Sequence, residues 1–296
     1  MTTINFLEDL TCDGLKLPLV HFDTGDRELC VIYIHGMAEN LVEDSFARTW
    51  AKTLAEQNVG FLYGHTRGHS QINYIINRNG ERVRYGTAYE VFDDCLADID
   101  LFVKKAQELG YQDIVLLGHS LGCNKAIFYM SKQGSDNKNI KGVVLASPPD
   151  MVGLEKMPKY QDNYKELLNE AKTNVKNGQP RRILRSEIWG EYELSSQTYL
   201  SFYQDGIHAD NLPILRNPDK FPQLEKIAVP ILAFMGESDD IKIRSLHEDL
   251  ALIKEKAINC PDFTTKIVAG ANHYYYEKEQ ETVDVIFDWL VNQKFI

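Results

Sequence analysis

The chain alternates short apolar runs with stretches in which apolar residues return every three to four positions, the patterns of buried strands and of one-sided helices. Residues 4–10 and 15–22 read as two strands joined at Cys12-Asp13-Gly14, whose Asp-Gly pair signals a hairpin. A buried strand over residues 29–34 runs into His35-Gly36-Met37. A helix over residues 46–56 follows, and residues 58–63 form another strand before the polar loop from Gly64 to Ser70. Residues 87–109 read as one long amphipathic helix. Next come the apolar run Ile114 to Leu117, the turn Gly118-His-Ser-Leu-Gly122, and apolar positions at helical spacing through Ala126, Ile127 and Met130. Strands at residues 142–146, 229–235 and 263–269, with helices near residues 243–256 and 279–290, complete the pattern. This alternation predicts an α/β fold: a mostly parallel central sheet with helices on both faces.

One stretch breaks the rhythm. From Met151 to about Glu225 no strand alternation is visible, and charged residues mix with Tyr160, Tyr164, Trp189, Tyr192, Tyr199, Phe202 and Tyr203. A segment this long between two sheet strands exceeds an ordinary loop and predicts a helical insertion. The expected organisation is therefore a core built from residues 1–150 and 226–296, with residues 151–225 forming a helical lid after the sixth strand.

Composition narrows the partners. At 296 residues, 44% hydrophobic and 25% charged, the chain is ordinary for a globular protein with a sizeable core. A formal net charge of −11 argues against nucleic acid or an anionic membrane surface as the main partner, since both reward clustered Lys and Arg. Cys12, Cys30, Cys95, Cys123 and Cys260 are scattered and lack metal-type spacing, which predicts reduced thiols in a cytoplasmic protein. The first ten residues carry acids where a signal peptide carries a basic region, and no stretch reaches the length of a membrane span, so neither leader nor membrane insertion is expected.

The candidate chemistry centres on Ser120. A serine on a sharp turn between a strand and a helix is held above the sheet, and small residues at Gly118 and Gly122 relieve crowding there. A serine hydroxyl is a poor nucleophile at neutral pH, so it needs a base within hydrogen-bond reach and a third group fixing the base's tautomer. In open parallel sheets such partners come from loops at the carboxyl ends of strands. Asp239 and Asp240 follow one strand in Gly236-Glu-Ser-Asp-Asp240, and His273 follows another in Gly270-Ala-Asn-His273.

On these motifs, and on His35-Gly36-Met37 after the third strand, the sequence resembles the α/β-hydrolase superfamily over nearly its whole length. It looks most like small serine esterases and acylglycerol-lipase-like hydrolases with a helical lid. A more distant likeness, carried by the Gly-His-Ser-x-Gly-Cys form of the elbow, is to siderophore esterases. The resemblance implies Ser120 as nucleophile, His273 as general base and then acid, and Asp239 as the residue orienting it, at the family spacing of glycine plus three. It implies an oxyanion hole from the backbone N–H groups of Met37 and Leu121. Where relatives carry Asp-x-Arg-Gly-x-Gly, this chain has His65-Thr-Arg67-Gly68-His69-Ser70, with His at the acidic position.

The expected activity is hydrolysis of small-molecule carboxylic esters through an acyl-enzyme, without metal or cofactor. Thioester or amide hydrolysis, acyl transfer, and a non-catalytic ligand-binding role stay open on the same residues. Substrate contact is expected from His35, His65, Arg67, His119, Trp189 and Tyr199; for His35 the competing role is bracing the oxyanion loop, and for the His65 loop it is scaffolding. Cys123, one helical turn past Ser120, reads as packed rather than reactive.

Overall fold

A computed structural model describes residues 2–132, 137–159 and 161–296. Tyr160, one of the insertion aromatics, lies outside the described residues. Ten strands form a single sheet: β1 (Thr3–Leu10), β2 (Leu15–Asp23), β3 (Leu29–Ile34), β4 (Gly60–Gly64), β5 (Asn73–Asn77), β6 (Arg82–Tyr85), β7 (Asp113–His119), β8 (Ile140–Ala146), β9 (Ile231–Gly236) and β10 (Phe263–Val268). Their order is β10-β9-β8-β7-β3-β4-β2-β5-β6, with β1 paired to β2. The six strands from β10 to β4 run parallel, and β1, β2, β5 and β6 join antiparallel.

Side chains alternate across the buried strands, so each feeds two cores. Val31, Tyr33, Val115, Leu117, Val144, Leu232 and Phe234 meet α1 (Ser45–Glu56) and α8 (Glu279–Asn292) on one face. Ile32, Ile34, Ile114, Leu116, Val143 and Ile231 meet α2 (Cys95–Glu108), α3 (Leu121–Lys132) and α7 (Leu246–Lys256) on the other. No helix of the described residues is long and apolar enough to cross a membrane.

The order also positions the site. Strands β3 and β7 are neighbours, yet the chain leaves β3 toward β4 and leaves β7 toward β8. The loops after them diverge at this switch point and open a crevice above the carboxyl ends of the strands.

Two local expectations are corrected. The segment read as one helix over residues 87–109 starts late: Val91 is extended, a 3-10 turn covers Phe92–Asp94, and α2 begins at Cys95. Its first residues spend their hydrogen bonds elsewhere. The Thr87 hydroxyl donates to the Gly68 carbonyl at 2.9 Å, and the Ala88 carbonyl accepts from the Ser195 N–H at 2.8 Å and the Thr198 hydroxyl at 3.1 Å. The hairpin β5–β6 was not expected, because it is mostly exposed and only Ile75 is buried. Its Asn79-Gly80 turn carried a hairpin signal.

Residues 151–225 contain α4 (Met151–Lys156), α5 (Tyr164–Lys176) and α6 (Ser196–Tyr203), with two single β-bridges, Ile183 to Ser195 and Ile188 to Tyr192. Leu167, Ala171, Ile188, Leu194, Phe202 and Tyr203 of this segment pack into the same core as α2 and α3.

Candidate active site

Ser120 sits between β7 and α3 with φ 52°, the left-handed region that costs a residue bearing a Cβ. The surroundings enforce it. The Ser120 N–H donates to the Ala146 carbonyl at 2.9 Å, and its own carbonyl accepts from the Cys123 N–H at 2.8 Å. A Cβ at Gly118 would overlap the carbonyl of Gly122, and one at Gly122 the carbonyl of Ile34, so the turn closes only with glycine at both positions.

The loop after β10 brings His273 to Asp239 from the loop after β9. Nδ1 of the imidazole lies 3.2 Å and 3.4 Å from the two carboxylate oxygens, and Asp239 is fully buried. The same carboxylate accepts from the Ser147 hydroxyl at 2.5 Å and the Ile241 N–H at 3.1 Å, while Ser147 also meets the Tyr275 hydroxyl at 2.6 Å. Burial pushes the Asp239 carboxyl up, but His273 and the Ser147 hydroxyl outweigh it and hold the group below the ordinary carboxylate range. An ionised Asp239 keeps the proton on Nδ1, which leaves Nε2 with its lone pair available as a base. Ser147 and Tyr275 were missed by sequence reasoning. Both have positive φ, 55° and 54°, and Tyr275 reaches Asp239 only through the Ser147 hydroxyl.

Ser120 and His273 line one cavity of about 230 Å³ with Met37, Trp189, Tyr192 and Tyr274. Among the described residues no hydrogen bond joins the Ser120 hydroxyl to the His273 ring; in resting sites such contacts are often long and tighten with substrate. Asp240 lies on the cavity wall, and its neighbour Asp239 contacts the imidazole.

Two backbone donors border the serine. In the loop after β3 the N–H of Gly36 donates to Glu39 at 2.8 Å and that of Ala38 to the Thr87 hydroxyl at 2.7 Å. Among the described hydrogen bonds none takes the N–H of Met37 between them, or that of Leu121 at the start of α3. Helix-start amides lack intrahelical partners and favour negative charge.

The other expected substrate contacts divide sharply. Trp189 lines the cavity. His35 does not: it is fully buried, its Nδ1 donating to the Gly36 carbonyl at 2.8 Å and its Nε2 accepting from the Thr66 N–H at 3.0 Å, so it braces the loop. The expectation for the His65 loop is corrected on the same ground. His65 accepts from the Leu41 N–H at 3.3 Å, and burial pushes its pKa down to about 3, leaving it neutral. Arg67 is 1% exposed and grips Asp98 at 2.8 Å, Asp13 at 2.8 Å and Asp94 at 3.2 Å, so its charge is spent inside the fold. Tyr199 is buried and donates to Glu155 at 2.7 Å. His119 is buried between Glu39 and the carbonyl of His273, behind the cavity wall rather than on it. Cys123 is fully buried, its thiol 3.2 Å from the Gly118 carbonyl, and burial holds its pKa well above the ordinary thiol value. Glu39 itself carried no sequence signal, because it joins Tyr33 and Gly36 of its own segment to His119, 80 residues away.

The fold resembles that of known proteins. The Butyrivibrio proteoclasticus protein Est1E, solved with ferulic acid bound, superposes with a TM-score of 0.67 at 17% identity, covering 97% of this chain and 98% of that one. The α/β hydrolase GrgF from Penicillium sp. sh18 gives a TM-score of 0.68 at 16% identity, with 98% and 97% covered. The Pyrococcus furiosus esterase Pf2001 gives 0.62 at 16% identity, with 99% and 91% covered. The fold is thus that of the α/β-hydrolases. In sequence the chain is 22% identical over 244 residues to a bifunctional esterase/perhydrolase of Acinetobacter calcoaceticus, covering 78% of this chain and 81% of that protein. Residues 86–293, most of the chain and all of the Ser120, Asp239 and His273 segments, match a single family model, and the chain belongs to that family, described as "Protein of unknown function (DUF1749)".

Proposed function

We propose that this chain is a serine hydrolase that cleaves small-molecule carboxylic esters through an acyl-enzyme on Ser120. The observation that carries the reading is the buried Asp239 carboxylate against Nδ1 of a cavity-facing His273, on the cavity that also exposes Ser120. In this reading Nε2 of His273 takes the Ser120 proton as the oxygen attacks the ester carbonyl. The N–H groups of Met37 and Leu121 hold the tetrahedral oxyanion, and losing one such donor costs about a hundredfold or more in rate. His273 then protonates the departing alcohol and, acting as base again, directs water at the acyl-enzyme.

Residues 151–225 act as the lid, since Met151, Leu154, Trp189 and Tyr192 supply one wall of the cavity. Five free cysteines suit the cytoplasm. Perhydrolysis is a second reading, favoured by the name of the Acinetobacter relative: hydrogen peroxide would replace water at the acyl-enzyme.

A panel of p-nitrophenyl and aryl esters tests the proposal. Turnover is expected for the wild type and lost in His273→Ala, with peroxide diverting the acyl group to a peracid if the second reading holds. Equal turnover by wild type and His273→Ala would overturn it.

A further inference from the structure

His119 precedes the nucleophile, is fully buried, and has both ring nitrogens engaged. Nδ1 lies 2.5 Å from Oε1 of Glu39, and Nε2 lies 2.9 Å from the backbone carbonyl oxygen of His273. A carbonyl oxygen only accepts, so Nε2 carries a proton. The Glu39 carboxyl accepts at its other oxygen from the Gly36 N–H at 2.8 Å and the Tyr33 hydroxyl at 3.0 Å. Two donors on Oε2 favour the ionised carboxylate, which leaves the remaining proton on Nδ1. The ring thus meets two acceptors and no donor.

Three segments are joined through this one ring: the loop after β3 through Glu39 and Gly36, the elbow through the backbone of His119 itself, and the loop after β10 through the His273 carbonyl. We propose that His119 is a positioning residue that carries both ring protons and thereby holds the donor loop, Ser120 and His273 at their mutual distances. The inference rests on the reading of Ser120 and His273 as nucleophile and base. Burial pulls the His119 pKa down, but the adjacent Glu39 carboxylate outweighs it and raises it. Burial likewise raises Glu39 and His119 more than reverses it. The other titratable groups facing the ring are Asp44, pushed up to about 8 by burial and by Glu39, and the His273, Tyr274 and Tyr275 side chains.

The test has an arm independent of activity. A long-range proton–nitrogen spectrum of the selectively labelled full chain at pH 7 should show His119 protonated on both nitrogens; one unprotonated nitrogen overturns the inference. For activity, His119→Gln should lower kcat by about ten- to a hundredfold, the scale of a displacement near 1 Å, with KM within about twofold. Loss of a ring proton from His119 should give the wild-type kcat profile an alkaline limb, and this limb should vanish in His119→Gln. Glu39→Gln removes the carboxylate that keeps the ring charged, so the limb should move to lower pH. In Asp44→Asn the limb should persist. A His119→Gln enzyme with wild-type kcat and pH profile overturns the inference even if Ser120→Ala and His273→Ala are dead. If those two variants still turn over ester, it is the reading of the site that fails. Should His119→Gln fail to fold, the spectrum of the wild type decides alone.

Discussion

Replacing Asp239 by Asn keeps the shape of the site and changes its proton logic. In the wild type one carboxylate oxygen accepts from the Ile241 N–H at 3.1 Å and lies 3.2 Å from His273 Nδ1, while the other accepts from Ser147 at 2.5 Å. An asparagine that keeps its oxygen on the Ile241 N–H keeps that oxygen beside Nδ1, but it puts an NH₂ where the Ser147-facing oxygen stood, 3.4 Å from the same ring nitrogen. Ser147 can rotate to accept, handing its proton toward Tyr275. The imidazole then faces a donor beside its acceptor and no carboxylate charge, so the Nδ1 proton is less favoured and the imidazolium formed during attack loses its counter-charge. In a serine protease triad the same Asp-to-Asn change costs about 10⁴ in kcat, about 5 kcal/mol of transition-state stabilisation. The expectation here is a fall of about 10³ to 10⁴ in kcat for a p-nitrophenyl ester, with KM changed by less than about fivefold. The matched control is Asp240→Asn, which should lower kcat by less than about tenfold because it leaves the Asp239 carboxylate against Nδ1 in place. Steady-state kinetics on both variants, with circular dichroism to confirm folding, checks the argument. Asp239→Asn within tenfold of wild type, or Asp240→Asn the worse of the two, would refute it.

Three further outcomes follow from the packing. Arg67→Ala strands Asp98 in the core and should destabilise the chain by about 3–5 kcal/mol in urea unfolding, and Arg67→Lys should not restore it because the two-pronged contact is lost. Glu155 is buried beside Tyr199 with its pKa raised to about 8 by burial, so its stabilising neutral form is fully present below the ordinary carboxyl pKa and lost as pH rises through 8. The melting temperature should therefore fall between about pH 4.5 and 8, and Glu155→Gln should flatten that fall. Trp189→Ala opens the cavity wall and should raise KM for aryl esters by about tenfold while kcat moves less, as measured by initial rates.

Legibility in the sequence tracked the range of the forces involved. The Ser120 turn is written locally, since an apolar run, two glycines and a helical repeat fall within a few residues and demand one geometry. Asp239 and His273 could be named because each follows a buried strand, although their meeting depends on β9 and β10 lying side by side. Glu39, Ser147 and Tyr275 could not. Their partners are distant in sequence, as Glu39 is from His119, and no periodicity encodes such pairs. Charge misled in the same way: Arg67 reads as a gripping residue until Asp13, Asp94 and Asp98, two of them acids on or beside α2, are seen to close around it. Tyr199 reads as a cleft aromatic, yet its hydroxyl is buried against Glu155.

The most direct measurement is peptide mapping after incubation with a fluorophosphonate. A single phosphonyl adduct on the Ser120 peptide, slowed by His273→Ala and absent in Ser120→Ala, is the predicted result. An adduct on another residue, or none while ester turnover continues, would contradict the account.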